Sequence, residues 1–217
     1  MGRLEHLTRW SRDPEARIVN GWCAIPSPVT AELMARSGFQ TVTLDLQHGL
    51  IDVQTALSMI QVIDALSVPS IVRVPWLDAG TIMKMLDFGA TGIICPMINS
   101  ATEAERLVEF CRYPPKGQRS FGPTRASIAF GSSYAKDANN AVTIMPMIET
   151  AAALEVTQDI LAVEGVSGVY VGPADLGFSL GEEPTLSPTA RPVIDAIEHI
   201  VSTANEMGKF AGIHCGT

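Results

Sequence analysis

The sequence lacks any apolar run long enough to span a bilayer, and no signal-peptide apolar core follows Met1. Positive charge is scarce as well, because 15 lysines and arginines stand against 23 aspartates and glutamates, for a net charge of −8. We therefore expect no nucleic-acid partner and no membrane partner. A small anionic ligand stays possible, since one local arginine outweighs a distant global charge. These absences predict a cytoplasmic protein.

Two further absences narrow the class of protein. The four cysteines, Cys23, Cys95, Cys111 and Cys215, form no CxxC pair and no zinc-like spacing. Scattered thiols at apolar positions are typical of core residues in a reducing compartment rather than of a disulfide framework. No glycine-rich phosphate turn follows the first apolar run, which weighs against an open doubly wound nucleotide-binding sheet.

What the sequence does contain is a regular alternation of strand and helix patterns. The 217 residues, 47% of them hydrophobic, suffice for one large domain over residues 1–217. Short continuous apolar runs predict buried strands at residues 18–24, 41–46, 70–74, 92–95, 142–148, 169–171 and 210–213. Helical spacing predicts helices at residues 4–12, 30–36, 53–66, 81–88, 101–111, 151–163 and 192–207, and residues 113–140 are expected to be irregular.

This alternation predicts a parallel sheet covered on both faces. Seven strands are one fewer than a closed (β/α)₈ TIM barrel has, and such barrels typically need about 250 residues. The seventh predicted strand lies at the end of the sequence. We therefore expect a (β/α) barrel that lacks its last strand and helix in this chain.

Polar side chains fall where these strands end. Asp45 and His48 follow the second strand, Arg73 ends the third, Glu149 follows the fifth and Asp175 follows the sixth. The carboxyl ends of parallel strands meet at one rim, where α/β proteins bind ligands. Arg73 is expected to contact an anion or to form a structural ion pair. Glu149 and Asp175 could cap helices, but their places on successive strands favour a shared hard divalent cation.

The histidines separate into one candidate and three others. His48 is either a rim histidine or a general base, with Asp45 and Asp87 as possible partners that could equally be helix caps. Residues His6, His199 and His214 are expected to be structural or to lie on the surface.

Six short motifs occur in an order that resembles one known family. They are Leu44-Asp45-Leu46-Gln47-His48-Gly49, Val72-Arg73-Val74-Pro75, Leu86-Asp87-Phe88-Gly89-Ala90, Tyr113-Pro114-Pro115-Lys116-Gly117-Gln118-Arg119, Ile148-Glu149-Thr150 and Gly172-Pro173-Ala174-Asp175-Leu176. Each motif is weak alone, but the ordered set resembles the HpcH/HpaI family of metal-dependent (class II) pyruvate aldolases. The resemblance runs from about residue 21 to residue 212. It implies a (β/α)₈ barrel of the phosphoenolpyruvate/pyruvate type, and often a hexamer built as a trimer of dimers that exchange the last helix.

The resemblance also implies roles for the rim residues. Glu149 and Asp175 match the family's ligands of Mg²⁺, Mn²⁺ or Co²⁺. Arg73 matches the arginine that contacts the keto oxygen of pyruvate and stabilises its enolate. His48 matches the acid/base histidine.

Three further sets of positions follow from the same resemblance. Asp45 and Asp87 match the acids that support the histidine. The segment formed by Gly172, Pro173, Ala174 and Asp175 matches the one that receives the pyruvate carboxylate. Three positions depart from the family pattern: Gln47 stands where glutamate is frequent, Met147 stands where glutamine is frequent, and Arg119-Ser120 replaces a frequent Arg-Gly.

The implied reaction is the cleavage or formation of a 4-hydroxy-2-oxo acid from an aldehyde and pyruvate or hydroxypyruvate. A Schiff-base route would need a desolvated lysine at the strand ends. Lys84, Lys116, Lys136 and Lys209 lie instead on a predicted helix, in two loops and at a strand entrance, which independently favours the metal route.

Three alternatives remain at this point. A CoA-ester lyase of the citrate lyase beta type would use similar charged positions, and a non-catalytic keto-acid-binding barrel would retain them. A purely structural barrel would not need them. Arg119 and Arg125, in the segment predicted to be irregular, are expected to border either an aldehyde pocket or an oligomer interface.

Overall fold

The computed structural model describes residues 17–216, which form seven strands and ten helices. The strands are β1 (Asn20–Cys23), β2 (Thr41–Asp45), β3 (Ser70–Arg73), β4 (Gly92–Cys95), β5 (Thr143–Ile148), β6 (Gly168–Val171) and β7 (Phe210–Ile213). The helices are α1 (Pro28–Arg36), α2 (Val53–Ala65), α3 (Ala79–Phe88), α4 (Ala101–Cys111), α5 (Thr124–Phe130), α6 (Tyr134–Ala141), α7 (Ala151–Glu155), α8 (Thr157–Ala162), α9 (Pro173–Ser179) and α10 (Arg191–Glu206).

The seven strands form one parallel sheet in the order of the sequence. The Trp22 ring on β1 stacks on the Tyr170 ring on β6 with a centroid distance of 5.7 Å, so strands far apart in the sheet approach each other. Within residues 17–216, no ladder joins β7 to β1. The sheet is thus a curled, open barrel wall of seven strands, which confirms the predicted fold class.

Alternate residues of each strand face opposite sides of this wall, as the two-residue period requires. Apolar side chains on the concave side, Ile71, Ile94, Met145, Met147 and Tyr170, form an inner cluster. Apolar strand residues of the opposite parity, among them Val42, Leu44, Val72, Ile93 and Val169, pack beneath the helices in the larger core. The same alternation continues past the strand ends. Residues that follow the strands with inner-face parity therefore lie at the carboxyl rim.

Local chemistry sets the helix boundaries. Five helices begin with a side-chain cap. In each, a backbone N–H of the first turn donates to the side-chain oxygen of the residue before the helix, which is Ser27, Asp52, Asp78, Ser100 or Thr150. Gly89 ends α3 with φ of 103°, a conformation that glycine adopts without steric cost, and this confirms the helix end predicted there.

Three sequence-based expectations need correction. The segment 113–140 is not irregular, because it contains most of the short helices α5 and α6. The helix predicted at 151–163 is divided into α7 and α8 at Val156, where φ is −114° and ψ is 20°. The short helix α9, which begins at Pro173, was not predicted at all. The predicted helix at 4–12 lies outside the described residues.

A search for membrane-spanning helices finds none among residues 17–216 with enough length and apolar character.

Candidate active site

The centre of the rim is a buried ion pair between neighbouring strands. Asp45 and Arg73 are register partners on β2 and β3. The Arg73 Nε donates to Asp45 Oδ1 at 2.9 Å, and Nη2 donates to Oδ2 at 2.6 Å. The two side chains are 11% and 4% exposed, so the pair is almost fully removed from water. Burial alone would raise the pKa of Asp45, but the Arg73 hydrogen bonds and charge hold it below its ordinary value.

An aromatic side chain that sequence reasoning did not single out completes this pair. The Trp22 ring lies beneath the Arg73 guanidinium, with 4.9 Å from Cζ to the ring centroid. Its Nε1–H donates to Asp45 Oδ2 at 3.4 Å. The sequence does contain a signal for Trp22, because it lies two residues after the polar Asn20 in the predicted first strand, and both therefore face the same side. In the structure, Asn20 Oδ1 accepts from two inner-face threonines of β2.

His48 lies in the turn that follows β2. The carboxylate of Asp45 accepts the backbone N–H groups of Gln47 at 3.0 Å and of His48 at 3.2 Å. A Cβ at Gly49 would clash with the Asp45 carbonyl oxygen, so the turn needs glycine there. The His48 imidazole is exposed, and it forms no hydrogen bond within residues 17–216. Asp45 therefore orients the backbone of His48 rather than its ring.

Glu149 is the buried carboxylate of the site. It follows β5 on the inner-face parity of Met145 and Met147 and is 1% exposed. The backbone N–H of Met97 donates to its Oε1 at 2.7 Å, and Met97 adopts an unusual φ of 56°. Burial raises the pKa of Glu149 to about 7, the Met97 hydrogen bond opposes this, and the charge of Asp175 raises it further.

The second carboxylate lies beside the first. Asp175 is an exposed residue in the first turn of α9. The chain reaches it through Gly172, where a Cβ would lie 2.5 Å from Glu149 Oε2. Glycine is thus needed for the close approach between this backbone and the Glu149 carboxylate. Since Pro173 has no N–H, the first amide donors of the turn belong to Ala174 and Asp175.

The donor set fits a hard divalent cation. Two carboxylates repel each other at this point, and one of them is buried, so a cation would stabilise both. Among residues 17–216 no group of three or more His, Cys, Asp or Glu side chains could hold a metal. A cation held by Glu149 and Asp175 would need further oxygen ligands from water or substrate, which is how Mg²⁺ is commonly bound.

Two of the three departures from the family pattern lie near the strand ends, Gln47 after β2 and Met147 on β5. The Met147 methyl packs at Gly172, 3.0 Å from the place of a Cβ there. The Gln47 Oε1 is buried without a hydrogen-bond partner. Neither residue carries a charge. Met147 is an apolar neighbour of Glu149 and donates no side-chain hydrogen bond to it.

Asp87 lies away from these residues. It is near the end of α3, and helices that follow parallel strands run back toward the amino-terminal side of the sheet. Its Oδ1 accepts from Arg119 Nη2 at 2.6 Å, and Arg119 Nη1 donates to the Tyr134 hydroxyl at 3.2 Å. The structure therefore does not bring Asp87 to His48 within the chain.

The arginines of the segment 113–140 are engaged in the fold. Arg125 donates to the Phe88 carbonyl at 3.0 Å and to Asp64 at 2.6 Å, while the side chain of Arg119 is fully buried. Lys209 donates to the Val166 carbonyl at 2.8 Å, away from the rim.

His214 is a rim residue that the sequence analysis assigned to structure or surface. It continues the inner-face parity of Phe210 and Gly212 on β7, and its ring meets the Trp22 ring edge-on at 4.5 Å. Burial and the positive charge of Arg73 lower the pKa of His214, so the His214 imidazole interacts electrostatically with the ion pair. The strand parity could have identified it.

The sequence is similar to those of known aldolases. The chain is 40% identical over 197 residues to a hydroxypyruvate/pyruvate aldolase of Rhizorhabdus wittichii, covering 91% of this chain and 78% of that protein. It is 35% identical to a 4-hydroxy-2-oxo-heptane-1,7-dioate aldolase of Escherichia coli, covering 88% of this chain and 74% of that protein.

A solved structure shares the same fold. The HpcH/HpaI aldolase/citrate lyase family protein of Burkholderia cenocepacia superposes with a TM-score of 0.89 at 29% identity, covering 96% of this chain and 84% of that one. The family model for HpcH/HpaI aldolase/citrate lyase matches residues 20–214, which include every rim residue described above. The chain belongs to the HpcH/HpaI aldolase/citrate lyase family.

Proposed function

We propose that this protein is a metal-dependent aldolase that cleaves or forms 4-hydroxy-2-oxo acids. One product is pyruvate or hydroxypyruvate, and the other is an aldehyde. The observation that carries the proposal is that a buried arginine and two adjacent carboxylates lie at one rim of the sheet. Arg73 offers positive charge there, and Glu149 and Asp175 offer negative charge.

Arg73 stabilises the charge that develops on the 2-keto oxygen. When the C3–C4 bond breaks, its electron pair moves into the keto group and gives the enolate of pyruvate. Two guanidinium nitrogens are held by Asp45, so the group is fixed before the substrate arrives. A preorganised donor of this kind needs little rearrangement during the reaction.

The remaining roles belong to the residues around the pair. Glu149 and Asp175 would hold Mg²⁺, Mn²⁺ or Co²⁺, and the cation would supply Lewis-acid stabilisation of the developing negative charge. His48 takes the proton from the C4 hydroxyl, directly or through water, because its imidazole is free and exposed. The amide groups of Ala174 and Asp175 receive the substrate carboxylate at the turn formed by Gly172 and Pro173.

Asp87 supports the reaction only if another copy of the chain brings it to a neighbouring rim. We propose a homo-oligomer, namely a hexamer built as a trimer of dimers. Exposed apolar side chains on and beside α1 support this, among them Ile25 (60% exposed), Val29 (65%) and Leu33 (63%). We also propose a cytoplasmic location, which is supported by four cysteines in the free thiol form.

The direct test is release of pyruvate or hydroxypyruvate from a panel of 4-hydroxy-2-oxo acids. The assay is run with Mg²⁺, Mn²⁺ or Co²⁺ and again after EDTA, with Glu149→Ala and Arg73→Ala beside the wild type. We expect metal-dependent release that both variants lose. Release that survives EDTA would overturn the metal route, and cleavage confined to CoA thioesters would point to a lyase of the citrate lyase beta type.

A further inference from the structure

The side chain of Trp22 contacts both members of the buried ion pair. Its ring lies 4.9 Å from Arg73 Cζ, and its Nε1–H reaches Asp45 Oδ2 at 3.4 Å. Building on the function proposed above, we propose that Trp22 is a positioning residue that fixes the Arg73 guanidinium so that its open N–H groups face the substrate.

The ion pair with Asp45 uses only some of the hydrogen-bond donors of Arg73. A guanidinium carries five N–H bonds, of which Asp45 receives one from Nε and one from Nη2. Within residues 17–216, Nη1 has no acceptor. The ion pair therefore leaves three N–H bonds open for the keto oxygen, both of those on Nη1 and the second one on Nη2.

The ion pair alone does not fix this orientation. A bidentate pair defines the plane shared by the guanidinium and the carboxylate, but the pair can still tilt on the flexible arginine stem. The indole ring beneath Arg73 Cζ opposes that tilt, and the indole N–H holds the carboxylate at the same time.

The indole is itself held by its neighbours. The ring of Tyr170 stacks on it with a centroid distance of 5.7 Å and an interplanar angle of 29°, and the ring of His214 meets it edge-on at 4.5 Å. Trp22 therefore lies between the inner cluster and the ion pair. An aliphatic side chain could fill the same volume, but it would offer neither the cation–π contact nor the N–H donor.

Three variants separate these contributions. Trp22→Phe keeps a ring and loses the N–H, whereas Trp22→Leu loses both. The matched control is Phe210→Leu, because Phe210 packs against the same inner cluster. Among the described residues, no hydrogen bond or cation–π contact joins Phe210 to Asp45 or Arg73.

The readouts are kcat and KM for pyruvate release and the affinity for oxalate, measured by calorimetry with Mn²⁺. Oxalate is a planar dianion that resembles the enolate of pyruvate. We expect Trp22→Leu to lower kcat and oxalate affinity by about 10- to 30-fold with a smaller change in KM. Trp22→Phe should lose about threefold, and Phe210→Leu should stay within about twofold.

The deciding experiment repeats the Trp22 substitutions in an Arg73→Lys background. A lysine has no planar face to hold, so Trp22→Leu should then weaken oxalate binding by less than about twofold. An equal loss in both backgrounds would show that Trp22 acts independently of Arg73 and would overturn the inference. Unchanged kcat and oxalate affinity in Trp22→Leu would also overturn it.

Folding and function failures are distinguishable from these outcomes. Circular dichroism reports whether each variant folds, and Trp22→Phe carries the same test if Trp22→Leu does not fold. A wild-type protein that neither releases pyruvate nor binds oxalate with metal would overturn the proposed function, and the inference with it.

Discussion

At the scale of single residues, the rim combines two charges that would be costly in isolation. Arg73 is nearly buried and is stable there because Asp45 takes two of its donors in register across β2 and β3. Glu149 is buried and accepts from one backbone N–H among residues 17–216, and its charge is opposed by burial and by Asp175. Among the described residues, the first charge has an ion-pair partner and the second has none.

The substitution Asp45→Asn tests the first of these statements. It leaves the Arg73 charge buried without its partner, so we expect the free energy of unfolding to fall by about 3–5 kcal/mol in urea titrations. The matched control is Asp195→Asn, which breaks the exposed Arg191–Asp195 pair. That pair should contribute less than about 1 kcal/mol. Similar losses in both variants would contradict the account.

The pH dependence of stability tests the second statement. The pKa of Glu149 is raised from its ordinary 4.5 to about 7 in the folded protein, so between these values the folded state binds more protons than the unfolded state. Stability of the metal-free protein should therefore fall as pH rises through this window, and the penalty is complete above about pH 7. The shift corresponds to a loss on the order of 3 kcal/mol.

Urea titrations in EDTA at several pH values measure this penalty. Glu149→Gln should remove most of the fall between pH 5 and pH 8, since an amide does not ionise. The exposed Glu198→Gln should retain it. A Glu149→Gln variant with the wild-type pH profile would show that another group is responsible.

The sequence identifies most of these residues but not their partners. Arg73, Glu149 and Asp175 follow predicted strands, so their gathering at one rim could be expected from the sheet alone. That Asp45 binds Arg73 rather than the His48 ring depends on side-chain geometry that no spacing shows. The same holds for Met97, whose φ of 56° directs its N–H to Glu149. No glycine in the sequence marks this left-handed conformation.

At the scale of elements, the strands and long helices match the sequence patterns closely, while short helices do not. Helices α5 and α6 have seven and eight residues, and proline, glycine and serine around them mask their periodicity. What holds this segment on α3 is a set of contacts distant in sequence, above all the ion pair between Arg119 and Asp87.

Replacing Arg119 by methionine tests that anchoring. Arg119→Met leaves the Asp87 carboxylate half-buried without its cation, and we expect a loss of about 3 kcal/mol or more in urea unfolding. The double variant with Asp87→Asn should recover part of that loss. Arg106→Met, on the exposed face of α4, serves as the control and should cost under about 1 kcal/mol. Equal effects of Arg119→Met and Arg106→Met would refute the anchoring role.

The end of α2 offers a stabilising change. Ser67 follows the helix with φ of 60°, and its N–H donates to the Asp64 carbonyl at 2.8 Å. Glycine adopts this left-handed conformation without the steric cost of a Cβ, so Ser67→Gly should raise stability by about 0.5–1 kcal/mol. Ser67→Ala retains the Cβ and should give no gain. Calorimetric melting of both variants measures the difference, and a gain in Ser67→Ala would contradict the conformational explanation.

At the scale of the whole molecule, the two-residue alternation of strand side chains places both the inner apolar cluster and the charged rim. Side chains of the inner-face parity give the apolar inner cluster below and the charged residues at the carboxyl rim above. The alternation of strands and helices predicted this architecture. It could not predict that Asp87 lies toward the other side of the sheet, because the direction of α3 and the Arg119 contact decide that.

The central claim is that this rim forms the enolate of pyruvate with a bound metal. Exchange of the C3 protons of pyruvate in D₂O, followed by mass spectrometry, measures that step without any knowledge of the aldehyde. We predict deuterium incorporation with Mg²⁺, Mn²⁺ or Co²⁺ that stops after EDTA and is lost in Arg73→Ala and Glu149→Ala but kept in Asp195→Asn. Exchange that continues in EDTA, or that survives in either rim variant, would contradict the account.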